Sequence, residues 1–278
     1  MTEKITSAQN PRLKRVVKLR TRRSRDRDGV FLIEGYRELQ RAVESGLVLE
    51  ELFICPELYL GENEPQLVER ATRKCGARVT TLPAPLFAKL AYRDRPEGLL
   101  AVAPQPDWSL ERLKPGTHPL LVVACAIEKP GNLGTILRSA DCVGAHGVIV
   151  CDRATDIFNP NVVRASIGTL FTVPVAEASS DRVLPWLRRH GVRTVATSPS
   201  ADREYTECDL TEPTAIVLGS EQYGLDERWL AETDLSLRIP MAGQADSLNV
   251  AMAATVVLFE AHRQRRGNSA EQKRGSGK

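Results

Sequence analysis

The chain has 278 residues, of which 42% are hydrophobic and 26% charged, and its formal net charge is +3. These proportions are typical of a soluble globular protein, and the length fits one large or two medium domains. No apolar run approaches the roughly 20 residues that span a bilayer, and the N-terminus is polar and basic rather than signal-like. We therefore expect a cytoplasmic protein without a membrane partner.

The six cysteines are scattered along the chain, and neither a C-x-x-C pair nor a histidine cluster accompanies them. Reduced thiols are the expected state of such cysteines. The sequence therefore predicts no metal site.

The net charge is distributed unevenly. Residues 1–30 hold ten Lys and Arg against three acidic residues, and residues 262–278 hold six against one. The two ends therefore carry +7 and +5, and the body between them carries −9. Such ends suggest a polyanionic partner, and nucleic acid fits better than a membrane because few bulky apolar anchors are present. The simpler alternative is a pair of solvated, mobile tails.

The first part of the chain predicts a small α/β domain. Residues 1–26 are expected to form a basic N-terminal arm, with too few apolar residues for a strong core face. Within 27–103, short apolar runs alternate with segments of helical spacing, as expected for layered strands and helices. The predicted strands are 31–33, 51–54, 78–82 and 98–103, and the predicted helices are 35–45, 64–75 and 85–91.

A stretch rich in Pro and Gly, 104–118, is the predicted linker, and a second α/β series follows over 119–266. Its nearly continuous apolar strands indicate a buried, mainly parallel sheet. The predicted strands are 120–126, 147–151, 172–175, 193–198, 214–220 and 235–241, and the predicted helices are 133–143, 161–170, 181–190 and 248–262. Composition predicts a disordered basic tail over 267–278.

Three loops at strand ends contain small and polar residues. The first, 128–147, fits neither the Walker A nor the dinucleotide-binding glycine pattern. Arg138 lies one helical turn beyond Gly134, so we expect its guanidinium to lean back toward the mouth of the loop. For this loop alone, a surface arginine paired with Asp141 is an equally good interpretation.

The second loop, 216–230, ends a strand in Gly-Ser-Glu, with Glu221 as a carboxylate at the strand end. The third, 239–249, precedes a long helix, and Ser247 and Asn249 flank the helix start, where backbone N–H groups are free. Each loop alone could be an ordinary connection. Together they predict one pocket with Arg138, Glu221, Ser247 and Asn249 as its polar side chains.

These residues resemble the SpoU/TrmH branch of the SPOUT RNA ribose 2′-O-methyltransferases. The first motif of that family, N-x-G-x-x-x-R, is matched by Asn132, Gly134 and Arg138. The second is matched by Gly219, Ser220, Glu221, Gly224 and Leu225, and the third by Ile239, Pro240, Met241, Gly243, Ser247, Leu248, Asn249 and Ala251. Residues 159–175 resemble the intermotif segment of the family. Residues 27–103 resemble its ribosomal-protein-like RNA-binding domain, although Glu97 stands where the family often has Gln.

The resemblance implies an α/β fold of the SPOUT type, with a deep C-terminal trefoil knot preceded by the small α/β RNA-binding domain. It also implies a homodimer and S-adenosyl-L-methionine as the cofactor. The cofactor-binding residues would be Leu218, Gly219, Ser220, Ile239, Met241, Ser247 and Leu248.

The implied catalytic residues are Arg138, Asn132, Glu221 and Asn249. Arg138 is often described as a general base in the family, but a guanidinium with a pKa above about 12 stays protonated, so an electrostatic role is more defensible. Asn132 would position RNA or Arg138, and Glu221 would orient Arg138. The expected RNA-binding residues are Arg12, Lys14, Arg15, Arg22, Arg23 and Arg164.

The expected reaction is methyl transfer to a ribose 2′-hydroxyl of ribosomal RNA, most simply large-subunit RNA. Transfer RNA is the alternative substrate, and the separate N-terminal domain favours the ribosomal one. A catalytically silent RNA-binding module for ribosome assembly is the alternative from another class. The intact motif residues argue against it.

Overall fold

We analysed a computed structural model of the protein, which describes residues 3–275 and their side chains up to residue 267. The chain divides into two compact units. The first comprises the residues up to Pro106 together with Asp156–Thr172, and the second comprises Asp107–Thr155 and the residues from Val173 onward. No helix in the described part of the chain is long and apolar enough to cross a membrane.

The strands and helices alternate along most of the chain. The strands are β1 (Glu3–Lys4), β2 (Val30–Glu34), β3 (Glu51–Ile54), β4 (Arg78–Thr81), β5 (Leu99–Pro104), β6 (Leu120–Cys125), β7 (Gly147–Cys151), β8 (Val175–Ala178), β9 (Arg193–Thr197), β10 (Arg203–Glu204), β11 (Thr214–Leu218) and β12 (Leu235–Arg238). The α-helices are α1 (Pro11–Lys18), α2 (Arg22–Asp28), α3 (Tyr36–Glu44), α4 (Glu64–Cys75), α5 (Ala84–Leu90), α6 (Pro130–Cys142), α7 (Pro160–Ala165), α8 (Ser180–Arg189), α9 (Glu227–Glu232) and α10 (Val250–Gly275).

The first unit contains a mixed sheet in the order β1-β4-β3-β5-β2, as expected for a small α/β domain. The expected N-terminal arm is instead part of this unit. Strand β1 pairs with β4, and the apolar residues Ile5, Leu13, Val16 and Leu19 are buried in the core. The prediction was wrong because Leu13, Val16 and Leu19 recur every three residues and share one face of the helical segment.

Segment 156–172 also packs in the first unit, although the sequence analysis assigns it to the second α/β series, 119–266. The ring centroid of Phe31 lies 5.0 Å from that of Phe158 and 6.0 Å from that of Phe171. Arg25, one of the ten basic residues counted in 1–30, is buried and donates to Asp156 through Nε at 3.1 Å. This segment is less helical than predicted because Ile167 and Gly168 have positive φ angles after the short helix α7.

The second unit contains a seven-stranded sheet in the order β10-β12-β9-β11-β6-β7-β8, and all its pairs are parallel. The central strands are buried along their whole length, as their continuous apolar runs predict. Strand β8 begins three residues later than the expected 172–175.

Part of the predicted linker belongs to this second unit. The Trp108 carbonyl accepts a 2.7 Å hydrogen bond from the Glu177 amide, and Leu110 and Leu113 are buried in the core of the unit. The predicted tail lies mostly outside the described side chains: its backbone up to Gly275 continues α10, and residues 276–278 are outside the described residues.

We expect Asp156→Asn to lower the free energy of unfolding of the first unit by about 3 kcal/mol or more, because it leaves the buried Arg25 guanidinium without its counter-charge. Urea unfolding measures the change. The control is Asp26→Asn, which breaks an exposed ion pair with Arg22 and should cost less than about 1 kcal/mol. Equal effects of the two variants would contradict a structural role for the buried pair.

Candidate active site

A pocket of about 650 Å³ lies at the carboxyl ends of three neighbouring strands of the second unit. It is lined by residues at and after the ends of β9 (197–200), β11 (219–225) and β12 (237–239, 241 and 246–250), together with Leu230, Ala253 and, before α6, Lys129. Parallel strands present their carboxyl ends at one edge, where open α/β sheets bind ligands. The volume is in the range of pockets that enclose a small molecule.

The loop after β11 folds tightly on itself. The Ser220 amide donates to the Gly224 carbonyl at 2.9 Å, and the Gly224 amide donates back to the Ser220 carbonyl at 3.1 Å. A Cβ at Gly219 would lie 2.1 Å from the carbonyl carbon of Gly224, so only glycine fits there. Gly224 has a φ of +68°, a left-handed conformation that glycine adopts without strain. The two glycines therefore permit the tight turn that forms this wall of the pocket.

Glu221 connects this loop to the start of α6. Its carboxylate accepts hydrogen bonds from the backbone amides of Glu128 at 2.8 Å and Lys129 at 3.0 Å. It also accepts a 2.6 Å bond from the Asn132 side chain. Glu128 and Lys129 immediately precede α6, so the carboxylate fixes the segment that leads into this helix, near the positive end of the helix dipole.

The third loop joins the same network through Asn249. The Asn249 side chain donates to Asn132 Oδ1 at 3.1 Å, and its own Oδ1 accepts from the Ala251 amide at 3.0 Å. Asn249 thus caps α10 while it contacts α6. All three motifs are therefore joined by the chain Glu221–Asn132–Asn249.

The hydrogen bonds lower the pKa of the Glu221 carboxyl. Burial raises this pKa, but the bonds from the Glu128 amide, the Asn132 side chain and the Lys129 amide together outweigh the burial. Glu221 is therefore ionised at neutral pH and acts as an acceptor rather than a proton donor.

The bonds of Glu221 correct one expectation. Glu221 was expected to orient Arg138, but its carboxylate is engaged by the start of α6. Arg138 lies exposed on the same helix, and no hydrogen bond or ion pair to its side chain is formed within residues 3–267. The guanidinium is therefore free to meet an incoming group.

Six of the seven expected cofactor-binding residues line the pocket: Gly219, Ser220, Ile239, Met241, Ser247 and Leu248. Leu218 is fully buried in β11 and does not line it. Sequence reasoning missed the segment Thr197, Ser198, Pro199 and Ser200, which forms a fourth part of the lining. The sequence signal for this segment is a Ser-Pro-Ser turn after a buried strand. It points to the pocket only when the strand order is known, because β9 lies between β11 and β12.

The expected RNA-binding residues of the first unit fall into two groups. Arg12 pairs with Glu3 and Glu51, Arg15 with Asp28 and Glu50, and Arg22 with Asp26. Lys14, Arg23 and Arg164 are exposed, and within the described side chains they form no ion pair. The charge available to a polyanion is therefore smaller than the sequence suggests. No cluster of metal-ligating side chains occurs in the described part of the chain.

Fold and site together define an α/β protein with a ligand pocket at the carboxyl edge of a parallel sheet, joined to a second α/β unit. Residues 119–259 match the SpoU rRNA methylase family, and residues 10–101 match the MRM3-like substrate binding domain. The chain belongs to the SpoU rRNA methylase family.

Two similar proteins carry names that state their reaction. A 23S rRNA (uridine(2479)-2′-O)-methyltransferase of Streptomyces viridochromogenes is 36% identical over 89% of this chain and 87% of its own. The 23S rRNA (guanosine(2553)-2′-O)-methyltransferase RlmP of Bacillus subtilis is 31% identical over 92% of this chain and 98% of its own.

Solved structures agree with this fold. An AdoMet-bound rRNA methyltransferase of Sinorhizobium meliloti has a TM-score of 0.86 and 32% identity, over 94% of this chain and 98% of its own. The AviRb methyltransferase of Streptomyces viridochromogenes with AdoMet has a TM-score of 0.83 and 34% identity, over 92% and 98%. A structure described for 2-OH methylation of C/U34 on tRNA covers only 55% of this chain and 99% of its own, with a TM-score of 0.51 and 31% identity.

We expect Glu221→Gln to lower the free energy of unfolding at neutral pH by about 1–2 kcal/mol, because a neutral amide replaces a charged acceptor of two backbone amides. Since the folded pKa of Glu221 is lowered, its stabilisation is present above about 4.5 and is lost as the pH falls below that value. The difference between the variant and the wild type should therefore shrink between pH 5 and 3. Urea unfolding across this range measures it.

Glu227→Gln is the control, because Glu227 is exposed in the first turn of α9, close along the chain to Glu221. A difference between Glu221→Gln and the wild type that does not change with pH would contradict the assignment.

Proposed function

We propose that this protein transfers a methyl group from S-adenosyl-L-methionine to a ribose 2′-hydroxyl of large-subunit ribosomal RNA. The observation that carries the proposal is the pocket in which all three motifs of the family meet through Glu221, Asn132 and Asn249. Two similar proteins that align with 89% and 92% of the chain are named as 23S rRNA 2′-O-methyltransferases.

The pocket suits an adenosine carrying a charged amino-acid tail. Leu225, Leu237, Ile239, Met241 and Leu248 offer apolar surface for a purine ring. The loops after β9, β11 and β12 offer backbone groups and the hydroxyls of Ser198, Ser200 and Ser247. Apolar surface combined with placed polar groups is typical of small-molecule pockets. We assign cofactor binding to Gly219, Ser220, Ile239, Met241, Ser247 and Leu248.

The bound cofactor supplies a methyl group already activated on a sulfonium, so this chain needs to orient the acceptor and assist loss of its proton. We assign Arg138 to the acceptor side. Its guanidinium is positively charged at neutral pH, so it would bind the phosphate beside the target ribose and stabilise the developing alkoxide rather than accept a proton. Asn132 and Asn249 hold the three loops against each other through their side-chain amides.

We further propose the deep trefoil knot for the second unit. The strand order supports it: β9 separates β11 from β12, and α10 then returns to pack against α6 and β11. A homodimer is proposed as well, because the outer face of α10 exposes Met252 and Phe259 to about half or more of their surface. An enzyme that modifies ribosomal RNA works where ribosomes are assembled, so we propose a cytoplasmic location.

Ribosomal RNA is preferred over transfer RNA because of the first unit. The structure described for tRNA methylation corresponds to only 55% of this chain, whereas proteins named for 23S rRNA align with both units. The discriminating experiment supplies purified protein with methyl-labelled cofactor and either unmethylated large-subunit RNA or unmodified transfer RNA. Label in the ribosomal RNA alone is expected, and label in transfer RNA alone would overturn this choice.

We expect Gly219→Ala to abolish measurable binding of S-adenosyl-L-methionine, because its Cβ would collide with the Gly224 backbone and displace the wall of the pocket. Gly267→Ala is a control outside the three motifs: Gly267 lies in α10 and no atom lies within 4 Å of a Cβ there, so binding should change less than about twofold. Isothermal calorimetry measures both, and circular dichroism checks the fold. Wild-type affinity in Gly219→Ala would contradict the assignment of this loop.

We expect Arg138→Ala to lower kcat by about 100-fold or more, in the range seen when one charge-stabilising donor is removed, while the Kd for the cofactor stays unchanged. Arg189→Ala removes another exposed arginine of the same unit and should leave kcat unchanged. Single-turnover methyl transfer measures both. Normal turnover by Arg138→Ala would contradict the role of Arg138.

A further inference from the structure

The first unit has a second cavity, a groove of about 320 Å³ between α1 and α5. Leu13, Leu86 and Leu90 line it and are almost wholly buried, and Val17 lines it with 39% of its surface exposed. The Arg20 guanidinium donates to the carbonyls of Lys89 at 2.8 Å and Ala91 at 2.6 Å, which fixes the end of α5 beside α1. The groove is therefore a preformed apolar slot.

Three exposed lysines, Lys14, Lys18 and Lys89, line the same groove, and none of its lining residues is acidic. Within the described side chains, none of the three ammonium groups forms an ion pair. The arginines of the same segment differ, because Arg12 and Arg15 are paired with carboxylates. Three unneutralised cations of the first unit therefore surround an apolar slot.

A cationic rim around an apolar slot matches an unpaired nucleotide. The faces of a base are apolar enough to enter the slot, and the flanking phosphates remain outside within reach of the lysines. A membrane surface fits less well, because it needs a broad face of bulky apolar anchors and only Val17 is substantially exposed here. An acidic peptide shares the charge complementarity, but it would need an aromatic side chain beside its carboxylates to fill the slot as well.

We propose that the groove between α1 and α5 binds an unpaired nucleotide of the RNA substrate, with its base in the slot and its phosphates at Lys14, Lys18 and Lys89. The inference rests on the proposed function and gives it a recognition site in the first unit.

The charge of the groove is tested with two double variants that remove equal charge from the first unit. Lys14→Ala/Lys89→Ala removes two groove lysines, and Lys4→Ala/Lys74→Ala removes two exposed lysines elsewhere. Fluorescence anisotropy measures binding of an unmethylated large-subunit RNA transcript at several salt concentrations. The groove variant should bind about tenfold more weakly, and the slope of log K against log salt should fall by about 1.4, since each single-strand phosphate contributes about 0.7. The control should keep the wild-type slope.

The slot itself is tested with Val17→Asp and its control Val48→Asp, because both valines are exposed enough to tolerate a polar side chain. Val17→Asp should raise the KM for RNA about tenfold, with kcat at saturating RNA and the Kd for S-adenosyl-L-methionine unchanged. Val48→Asp should match the wild type in all three quantities.

The outcomes separate the groove from the proposed function. Wild-type RNA affinity in Lys14→Ala/Lys89→Ala, together with a wild-type KM for RNA in Val17→Asp, would overturn the inference. An acidic peptide would then be the better occupant. A wild-type protein that transfers no methyl to ribosomal RNA would contradict the proposed function. The binding comparison needs no turnover, so it would still support or overturn the RNA groove.

Discussion

The site depends on one carboxylate. Glu221, at the end of a buried strand, accepts bonds from two backbone amides and one side chain that lie about ninety residues earlier in the chain. It thereby joins the loop after β11 to the start of α6. Asn132 in turn accepts a hydrogen bond from Asn249, which caps α10. Because the three loops are joined through Glu221 and Asn132, the position of each motif depends on the other two. The lowered pKa of Glu221 follows from the same bonds and keeps the acceptor charged under the conditions in which the site works.

The sheet makes this meeting possible. All strands of the second unit are parallel, so their carboxyl ends share one edge, and β9 brings a further turn into the pocket between the two motif loops. Helices α6 and α10 are held together beyond the site by a 2.7 Å hydrogen bond between the hydroxyls of Ser139 and Thr255. The helix that carries Arg138 is therefore fixed at both ends of the contact, while the guanidinium itself stays exposed. A fixed helix with an exposed guanidinium is consistent with the role proposed for Arg138 on the acceptor side.

Much of this could be predicted from the sequence, and the failures share one cause. Strand positions followed from apolar runs such as 120–125 and 214–218, and the pocket residues followed from the resemblance of the three motifs to the SpoU/TrmH family. Local patterns do not reveal which distant groups meet. They could not show that Glu221 faces the start of α6 rather than Arg138, or that β9 lies between β11 and β12. They also counted Arg25 and Arg12 as free cations, although buried Asp156 and the carboxylates of Glu3 and Glu51 neutralise them. The same long-range packing draws segment 156–172 into the first unit.

The central claim is that this pocket serves methyl transfer to a ribose oxygen and not to a base. The most direct test is to methylate unmodified large-subunit RNA with labelled S-adenosyl-L-methionine, hydrolyse the product completely in alkali and separate the fragments. A 2′-O-methyl group removes the hydroxyl that alkaline cleavage needs. The label should therefore appear in one alkali-stable dinucleotide. Label recovered in a mononucleotide with a methylated base would contradict the account.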